Sequence, residues 1–342
     1  MRRTIARGSG DPEIVPKAPY APLTGSLCQL TRQNKFMSPS PEVSHPAHQS
    51  VLMSRFLEDT LIVVGHGSTL NADSSRPTHL QAQTLKKCGL FGQVLTCFWK
   101  EQPVISAVLR SALGRRVFVV PLFISEGYFT EQVIPRELGL TFDSMSPALR
   151  VQSRGEKPIF YCGPVGTHSS MTSVILSRAL EVVAKSPTTP PALAPAPADC
   201  SLFIAGHGTS LNDRSRQAIE AQVERIGARK IYRDVHGIFM EEEPKIAKAY
   251  ALAKTDNLVI VPFFISDGLH SYEDIPVMLG ASINEVRSRM LAGQSTWPNP
   301  TRLQGKRVWY SRSIGDEPLL TSVILDRVVE AADSSPSSEI SS

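Results

Sequence analysis

The chain has 342 residues, of which 42% are hydrophobic and 20% charged, and its net charge at pH 7 is +4. This composition is typical of a globular protein, and the length predicts about two domains. The Lys and Arg residues form no dense stripe, so we expect no nucleic-acid partner. No apolar run approaches the roughly 20 residues of a membrane helix, so we also expect no membrane span.

The cysteines are scattered along the chain and contain no CxxC pair; they are Cys28, Cys88, Cys97, Cys162 and Cys200. Their spacing excludes a zinc or iron–sulfur cluster that could be recognised from sequence. Scattered cysteines suit a reducing compartment, so we predict a cytoplasmic location.

The first predicted element is a disordered extension over residues 1–54, which contains seven prolines and no sustained hydrophobic periodicity. Its basic start, with Arg2, Arg3 and Arg7, leaves an organelle-targeting signal open as one interpretation. Translation from a site upstream of Met53 is the other. A second proline-rich stretch, residues 186–199, predicts a stiff linker between two domains. A Ser-rich tail, residues 334–342, is predicted to be disordered.

Between these stretches the sequence occurs twice. LIVVGHGSTLN, from Leu61, returns as LFIAGHGTSLN, from Leu202, and the offset of 141 residues holds through FWKEQP and FMEEEP and through VPLFISEG and VPFFISDG. The last matching segment is offset by 149, which indicates an insertion of eight residues before the last strand of the second copy. Two copies of about 130 residues indicate a duplicated domain rather than a solenoid. The domains are predicted at residues 55–185 and 200–333.

Each copy predicts alternating strands and helices. An apolar strand (61–64, 202–205) ends at Gly-His-Gly and is followed by a helix (74–87, 215–226). A second strand leads to Phe98 or Phe239, and Pro103 and Pro244 fit the first turn of the next helix. A continuous apolar strand, a short helix, a fourth strand and an amphipathic helix complete each copy. We therefore predict an α/β fold of two tandem lobes, each with a mainly parallel four-stranded sheet flanked by helices, and a ligand cleft between them.

Three candidate functional side chains follow three strands of the second copy: His207, Glu241 and His270. The carboxyl ends of parallel strands meet at one edge of a sheet, where ligands bind in such folds. Imidazole binds Co(II), Fe(II), Ni(II) or Zn(II), and a carboxylate adds negative charge and accepts protons. The alternatives are a structural histidine in a tight turn for His207, a surface histidine for His270 and a solvated acidic run for Glu241.

The first copy lacks this set. His66 matches His207, but Lys100 stands opposite Glu241 and Phe129 opposite His270. A cation and a phenyl ring cannot replace two metal ligands, so His66 is predicted to be a remnant of a second site.

The GHGT opening, the FxExxP element, VPFFISDGLHxxxDIP and the tandem duplication resemble the class II tetrapyrrole metal chelatases, nearest to the sirohydrochlorin cobaltochelatase and ferrochelatase group. The resemblance covers residues 59–333 and implies two chelatase-like lobes. It also implies ATP-independent insertion of a divalent metal, Co(II) or Fe(II), into sirohydrochlorin, in cobalamin or sirohaem biosynthesis, with no organic cofactor. By motif position, the metal-binding and proton-accepting residues fall on His207, His270 and Glu241.

Sirohydrochlorin carries eight carboxylates, so its site needs cations, hydroxyls and backbone N–H groups. The candidates for substrate binding are Ser68, Thr69, Lys100, Thr209, Ser210 and Arg214. Tyr128 and Phe129 either stack on the macrocycle or fill the core.

Two other functions are alternatives to the chelatase, and each conflicts with the sequence. A histidine phosphatase needs an arginine before the histidine, whereas Gly65 and Gly206 stand there. A non-catalytic tetrapyrrole or metal carrier predicts ligand loss in both copies, whereas the second copy keeps all three residues.

Overall fold

A computed structural model of the chain describes residues 54–69, 71–141, 150–186, 194–209 and 213–334. The predicted N-terminal extension up to residue 53, half of the predicted linker and the tail from residue 335 lie outside the described residues. None of the helices within the described ranges is both long and apolar enough to cross a lipid bilayer.

The first lobe contains a five-stranded sheet with the order β2-β1-β3-β5-β4. Its strands are β1 (Thr60–Gly65), β2 (Gln93–Phe98), β3 (Val117–Pro121), β4 (Val151–Arg154) and β5 (Lys157–Tyr161). The first four in spatial order are parallel, and β4 pairs antiparallel with β5 at the edge. Every residue of β1 is buried, as expected for a central strand covered on both faces.

The second lobe repeats this topology in the order β7-β6-β8-β10-β9. Its strands are β6 (Ser201–Gly206), β7 (Asp234–Phe239), β8 (Asn257–Pro262), β9 (Thr301–Leu303) and β10 (Lys306–Tyr310), with β9 antiparallel to β10. The prediction of two mainly parallel sheets is confirmed, but the count of four strands is wrong. The antiparallel edge strands β4 and β9 were missed because both are short and lack an apolar run.

The helices of the described residues are α1 (Arg76–Cys88), α2 (Ile105–Val108), α3 (Ile134–Leu138), α4 (Met171–Ala184), α5 (Arg214–Ala228), α6 (Ala249–Leu252), α7 (Ile275–Met278), α8 (Ile283–Leu291) and α9 (Leu320–Asp333). A π-helical turn precedes α3 (Phe129–Val133) and another precedes α7 (His270–Asp274). The insertion of the second copy falls in the region that contains α8.

The predicted position of two prolines is wrong. Pro103 and Pro244 precede the next helical turn instead of starting it, since Val104 caps α2 and Lys245 caps a 3₁₀ turn. The carbonyls of both prolines accept a hydrogen bond from the last residue of β2 or β7. The prolines therefore belong to a tight loop at the ends of these strands.

The two sheets enclose one shared core. Leu61 and Val63 face this core together with Leu202 and Ile204 of the second lobe, whereas the alternate residues of β1 and β6 face the short outer helices. The four long helices α1, α4, α5 and α9 contribute buried side chains to the shared core. The molecule is thus layered: the short outer helices of the first lobe, the first sheet, the four long helices, the second sheet and the short outer helices of the second lobe.

The last helix of each lobe packs on the sheet of the other lobe. Helix α4, from the first copy, contacts β8 and β10 and lies beside α5. Helix α9, from the second copy, contacts β3 and β5 and lies beside α1. The two lobes therefore exchange their C-terminal helices, an arrangement that the repeated sequence does not predict.

Buried glutamines connect the exchanged helices to the neighbouring lobe. Gln81 on α1 donates to the carbonyls of Gly315 and Glu317, and its oxygen accepts a bond of 2.5 Å from the Thr321 hydroxyl. At the equivalent position of the other lobe, Gln222 accepts a 2.7 Å bond from Thr172. Because these polar groups are buried, their bonds fix the register between the lobes.

Candidate metal and tetrapyrrole site

Both Gly-His-Gly turns follow the first strand of their lobe at its carboxyl end. The Nδ1 atom of His66 lies 2.8 Å from the carbonyl of Gly67, and that of His207 lies 2.7 Å from the carbonyl of Gly208. A carbonyl only accepts, so Nδ1–H donates and Nε2 keeps its lone pair. Gly67 and Gly208 have φ values of +68° and +69°, a conformation that favours glycine.

Three side chains converge beyond the strands of the second sheet. The His207 and His270 rings are 5.0 Å apart between centroids and nearly perpendicular, and Nε2 of His207 is 3.8 Å from the Glu241 carboxylate. The side chains of His207, His270 and Glu241 are 40%, 49% and 59% exposed. Two imidazoles and a carboxylate therefore face solvent together, as the strand-end positions predict.

The His270 ring is oriented by a carboxylate on its own π-helical turn. Its Nδ1 is 2.7 Å from the Asp274 carboxylate, so Nδ1–H donates to that carboxylate and Nε2 remains available as a ligand atom. In the sequence HSYEDIP, Asp274 is predicted to be either an outer partner of a metal ligand or a helix N-terminal cap, and the cap is the favoured interpretation. Asp274 makes no side-chain cap bond to α7, so the cap interpretation is wrong. The spacing of four residues to His270 was the signal that could have found this contact.

The arrangement is not a preformed metal cage. Over the residues that the structure describes, no group of three or more His, Cys, Asp or Glu side chains has the geometry to hold an ion. Glu241 is the most exposed of the three candidate side chains.

In the first lobe, Phe129 stands at the position of His270, and Trp99 at that of Met240, next to the candidate ligand Glu241. The Phe129 ring lies 5.2 Å from His66, and the Trp99 ring lies 5.6 Å from His66 and 4.9 Å from Phe129. Lys100 Nζ lies 4.7 Å above the Trp99 ring. This first-lobe site is therefore apolar and cationic, as the sequence differences predict.

Two glutamates that the sequence interpretation missed support the turns. Glu101 accepts a 3.0 Å bond from the Ser68 backbone N–H, and Glu242 accepts the equivalent bond from Thr209. Burial alone raises the pKa of Glu242, but the Thr209 bond and Arg216 outweigh burial and hold that pKa below its ordinary value. Glu101 and Glu242 occupy the same position in FWKEQP and FMEEEP, and this match was the signal that could have identified them.

A pocket of about 360 Å³ lies between the lobes next to the aromatic site. His66, Tyr128 and Phe129 line it from the first lobe, and Thr209 and Ser266 line it from the second. Thr209 is two residues from His207, so the pocket extends from the first-lobe site toward the Gly-His-Gly turn of the second lobe. The predicted cleft between the lobes is thus present.

Of the other described candidates for substrate binding, Ser68, Thr69, Lys100 and Arg214, none lines this pocket. Arg214 lies 3.9 Å from Glu126 of the first lobe and is half exposed. Ser68 holds the first turn through its backbone bond to Glu101, and Thr69 and Lys100 are exposed. Ser210 lies outside the described residues.

The residues 60–182 and 201–331 each match the model of the CbiX family. A Halobacterium salinarum protein named "Probable sirohydrochlorin cobaltochelatase" is 40% identical over 283 residues, which are 79% of this chain and 91% of that protein.

Two solved structures have a similar fold. A multi-domain protein of Deinococcus radiodurans, described as structurally similar to chelatases, has a TM-score of 0.66 and 25% identity; the match covers 80% of this chain and 54% of that one. SirB from Bacillus subtilis with Fe³⁺ has a TM-score of 0.55 and 17% identity, covering 81% and 96% of the two chains. With both halves of the chain matched and a relative at 40% identity over most of its length, this chain belongs to the CbiX family.

Proposed function

We propose that the chain is a metal chelatase that inserts Co(II) or Fe(II) into sirohydrochlorin without ATP. Family membership and the name of the Halobacterium relative support the reaction. The observation that carries the proposal is the convergence of His207, His270 and Glu241 at the cleft end of the second sheet. The same nitrogen and oxygen donors accept both metals, so cobalt and iron both remain in the proposal.

The histidines bind the incoming ion in this proposal. Hydrogen bonds to Gly208 and Asp274 leave the Nε2 atoms of both rings as ligand atoms. Rotation of the half-exposed Glu241 adds a carboxylate, which offsets the charge of the ion. Three protein donors leave coordination positions for the pyrrole nitrogens.

Proton release balances the reaction. When a divalent ion enters the ring, two pyrrole N–H bonds break and two protons leave, so the charge of the product equals that of the free macrocycle. Glu241 is the nearest carboxylate to His207, and we assign it the role of first proton acceptor. Its exposure lets it pass each proton to solvent.

The test measures insertion of Co(II) and Fe(II) into sirohydrochlorin by the change in its visible spectrum. We expect His207→Ala and His270→Ala to lower turnover at least a hundredfold. His79→Ala, at an exposed histidine on α1, is the control and keeps turnover. Near-normal insertion of both metals by either active-site variant contradicts the assigned roles.

The same assay separates the enzyme from a carrier. An enzyme converts many equivalents of macrocycle, whereas a non-catalytic carrier stops at one equivalent. The pathway we propose is cobalamin or sirohaem biosynthesis, and the compartment is the cytoplasm. The free thiols of Cys88, Cys97, Cys162 and Cys200 support a reducing compartment.

A further inference from the structure

We infer that the altered site of the first lobe is a binding platform for the tetrapyrrole, formed by Trp99, Lys100, Tyr128 and Phe129. This inference rests on the proposed function, and it gives the lobe without metal donors a substrate-binding role. In the second lobe the positions equivalent to Lys100 and Phe129 hold the proposed metal ligands Glu241 and His270.

The platform is exposed where a flat ligand can reach it. Trp99 is 36% and Tyr128 59% exposed, although aromatic side chains of this size are usually more deeply buried. Tyr128 and Phe129 line the 360 Å³ pocket. A pocket of this volume admits part of a large macrocycle, and the remainder of the macrocycle would lie outside the pocket, on the side of Thr209.

Its chemistry matches the two parts of the ligand. The rings of Trp99, Phe129 and His66 contact one another in T-shaped pairs, and the exposed surfaces of Trp99 and Tyr128 offer a contact to an aromatic or conjugated system. Lys100 lies over the Trp99 ring, and within the described ranges no Asp or Glu carboxylate forms an ion pair with it. A cation of this kind pairs with a ligand carboxylate.

The second lobe also has an exposed apolar side chain at the start of its π-helical turn. Leu269 occupies the position equivalent to Tyr128 and is 66% exposed, immediately before His270. Each lobe thus presents one exposed apolar side chain at the start of its π-helical turn. Tyr128 lines the pocket, and Leu269 adds apolar surface beside the proposed metal ligand His270.

The experiment titrates metal-free sirohydrochlorin into the full-length protein and follows the absorbance of the macrocycle. We expect Trp99→Ala and Lys100→Gln each to raise the dissociation constant roughly fivefold to tenfold. Lys100→Gln should also reduce the salt dependence of binding, since one ion pair with a carboxylate is lost. Titration with Co(II) alone should give unchanged affinity in both variants.

The controls are Leu113→Ala and Lys87→Ala, which remove an exposed leucine and an exposed lysine at the amino-end edge of the first sheet. We expect both controls to bind the macrocycle like the unmodified protein. Unchanged macrocycle affinity and salt dependence in Lys100→Gln overturn the inference, even if Trp99→Ala is too unstable to test.

The result also separates this inference from the proposed function. If the unmodified protein inserts metal but the two platform variants bind and turn over like it, the platform is wrong and the chelatase stands. If the unmodified protein binds the macrocycle through the platform and never inserts metal, the platform stands and the chelatase fails.

Discussion

Replacement of Asp274 by Asn tests whether the carboxylate on the π-helical turn prepares His270 for metal binding. The carboxylate lies 2.7 Å from Nδ1 of His270. Loss of such an outer partner typically costs about 10–100-fold in metal affinity. The two side chains are 49% and 39% exposed, and solvent screens their interaction. We therefore expect the lower end, about a tenfold loss or ~1.4 kcal/mol of binding free energy.

The assay is calorimetric titration of Co(II) into the metal-free protein at pH 7. Glu273→Gln is the matched control, because Glu273 is the adjacent carboxylate but bonds to Arg287 at 2.8 Å instead of to a histidine. Nitrogen NMR of His270 adds a direct measurement: the Nδ1–H tautomer should dominate in the unmodified protein and lose population in Asp274→Asn. Equal Co(II) affinity in all three proteins, or an equal loss in both variants, would refute the reasoning.

Two further predictions concern the contact between the lobes. Gln81→Leu removes three buried hydrogen bonds and should lower the free energy of unfolding, measured by urea titration, by about 3 kcal/mol. The control Gln83→Leu, at an exposed position of the same helix, should change it by less than about 0.5 kcal/mol. Equal effects of the two substitutions contradict a special role for the buried glutamine. Burial raises the pKa of Glu317 above its ordinary 4.5 despite the opposing charge of Arg178, so the folded state loses stability as pH rises from 4.5 through the raised pKa. Glu317→Gln should remove this loss. The difference in unfolding free energy, variant minus unmodified protein, should therefore increase as the pH rises over that range. A difference that does not change with pH contradicts the raised pKa of Glu317.

The strand-end positions of the candidate site could be predicted because they depend on local sequence. Apolar runs that end at Gly-His-Gly define buried parallel strands, and the carboxyl ends of such strands meet at one edge. The sequence therefore predicts that His207, Glu241 and His270 lie close together, as they do in the structure. It also identified the substitutions at Lys100 and Phe129, since the offset of 141 residues aligns the two copies.

The exchange of α4 and α9 could not be predicted in the same way. An amphipathic helix shows only that one face is buried, and the sheets of both copies present similar apolar faces. Whether such a helix packs on the sheet of its own lobe or on that of the neighbouring lobe depends on packing across the shared core. The edge strand β9 was missed for a different reason: three residues with only one apolar side chain carry no periodic signal.

The exchanged helices also restrict how the cleft can open. A hinge rotation of one lobe would pull α9 from the first sheet, and this helix buries Leu320, Val323, Ile324 and Val328 almost completely. At about 1.5–3 kcal/mol for each buried side chain, exposure of these four costs ~6–12 kcal/mol, which is comparable with the whole stability of a typical domain. Wide hinge motion is therefore unfavourable, and we infer that the width of the cleft is set by the shared core. Under the proposed function, selection between tetrapyrroles would then depend on side chains rather than on closure of the lobes, and Trp99 and Lys100 are the informative positions to change.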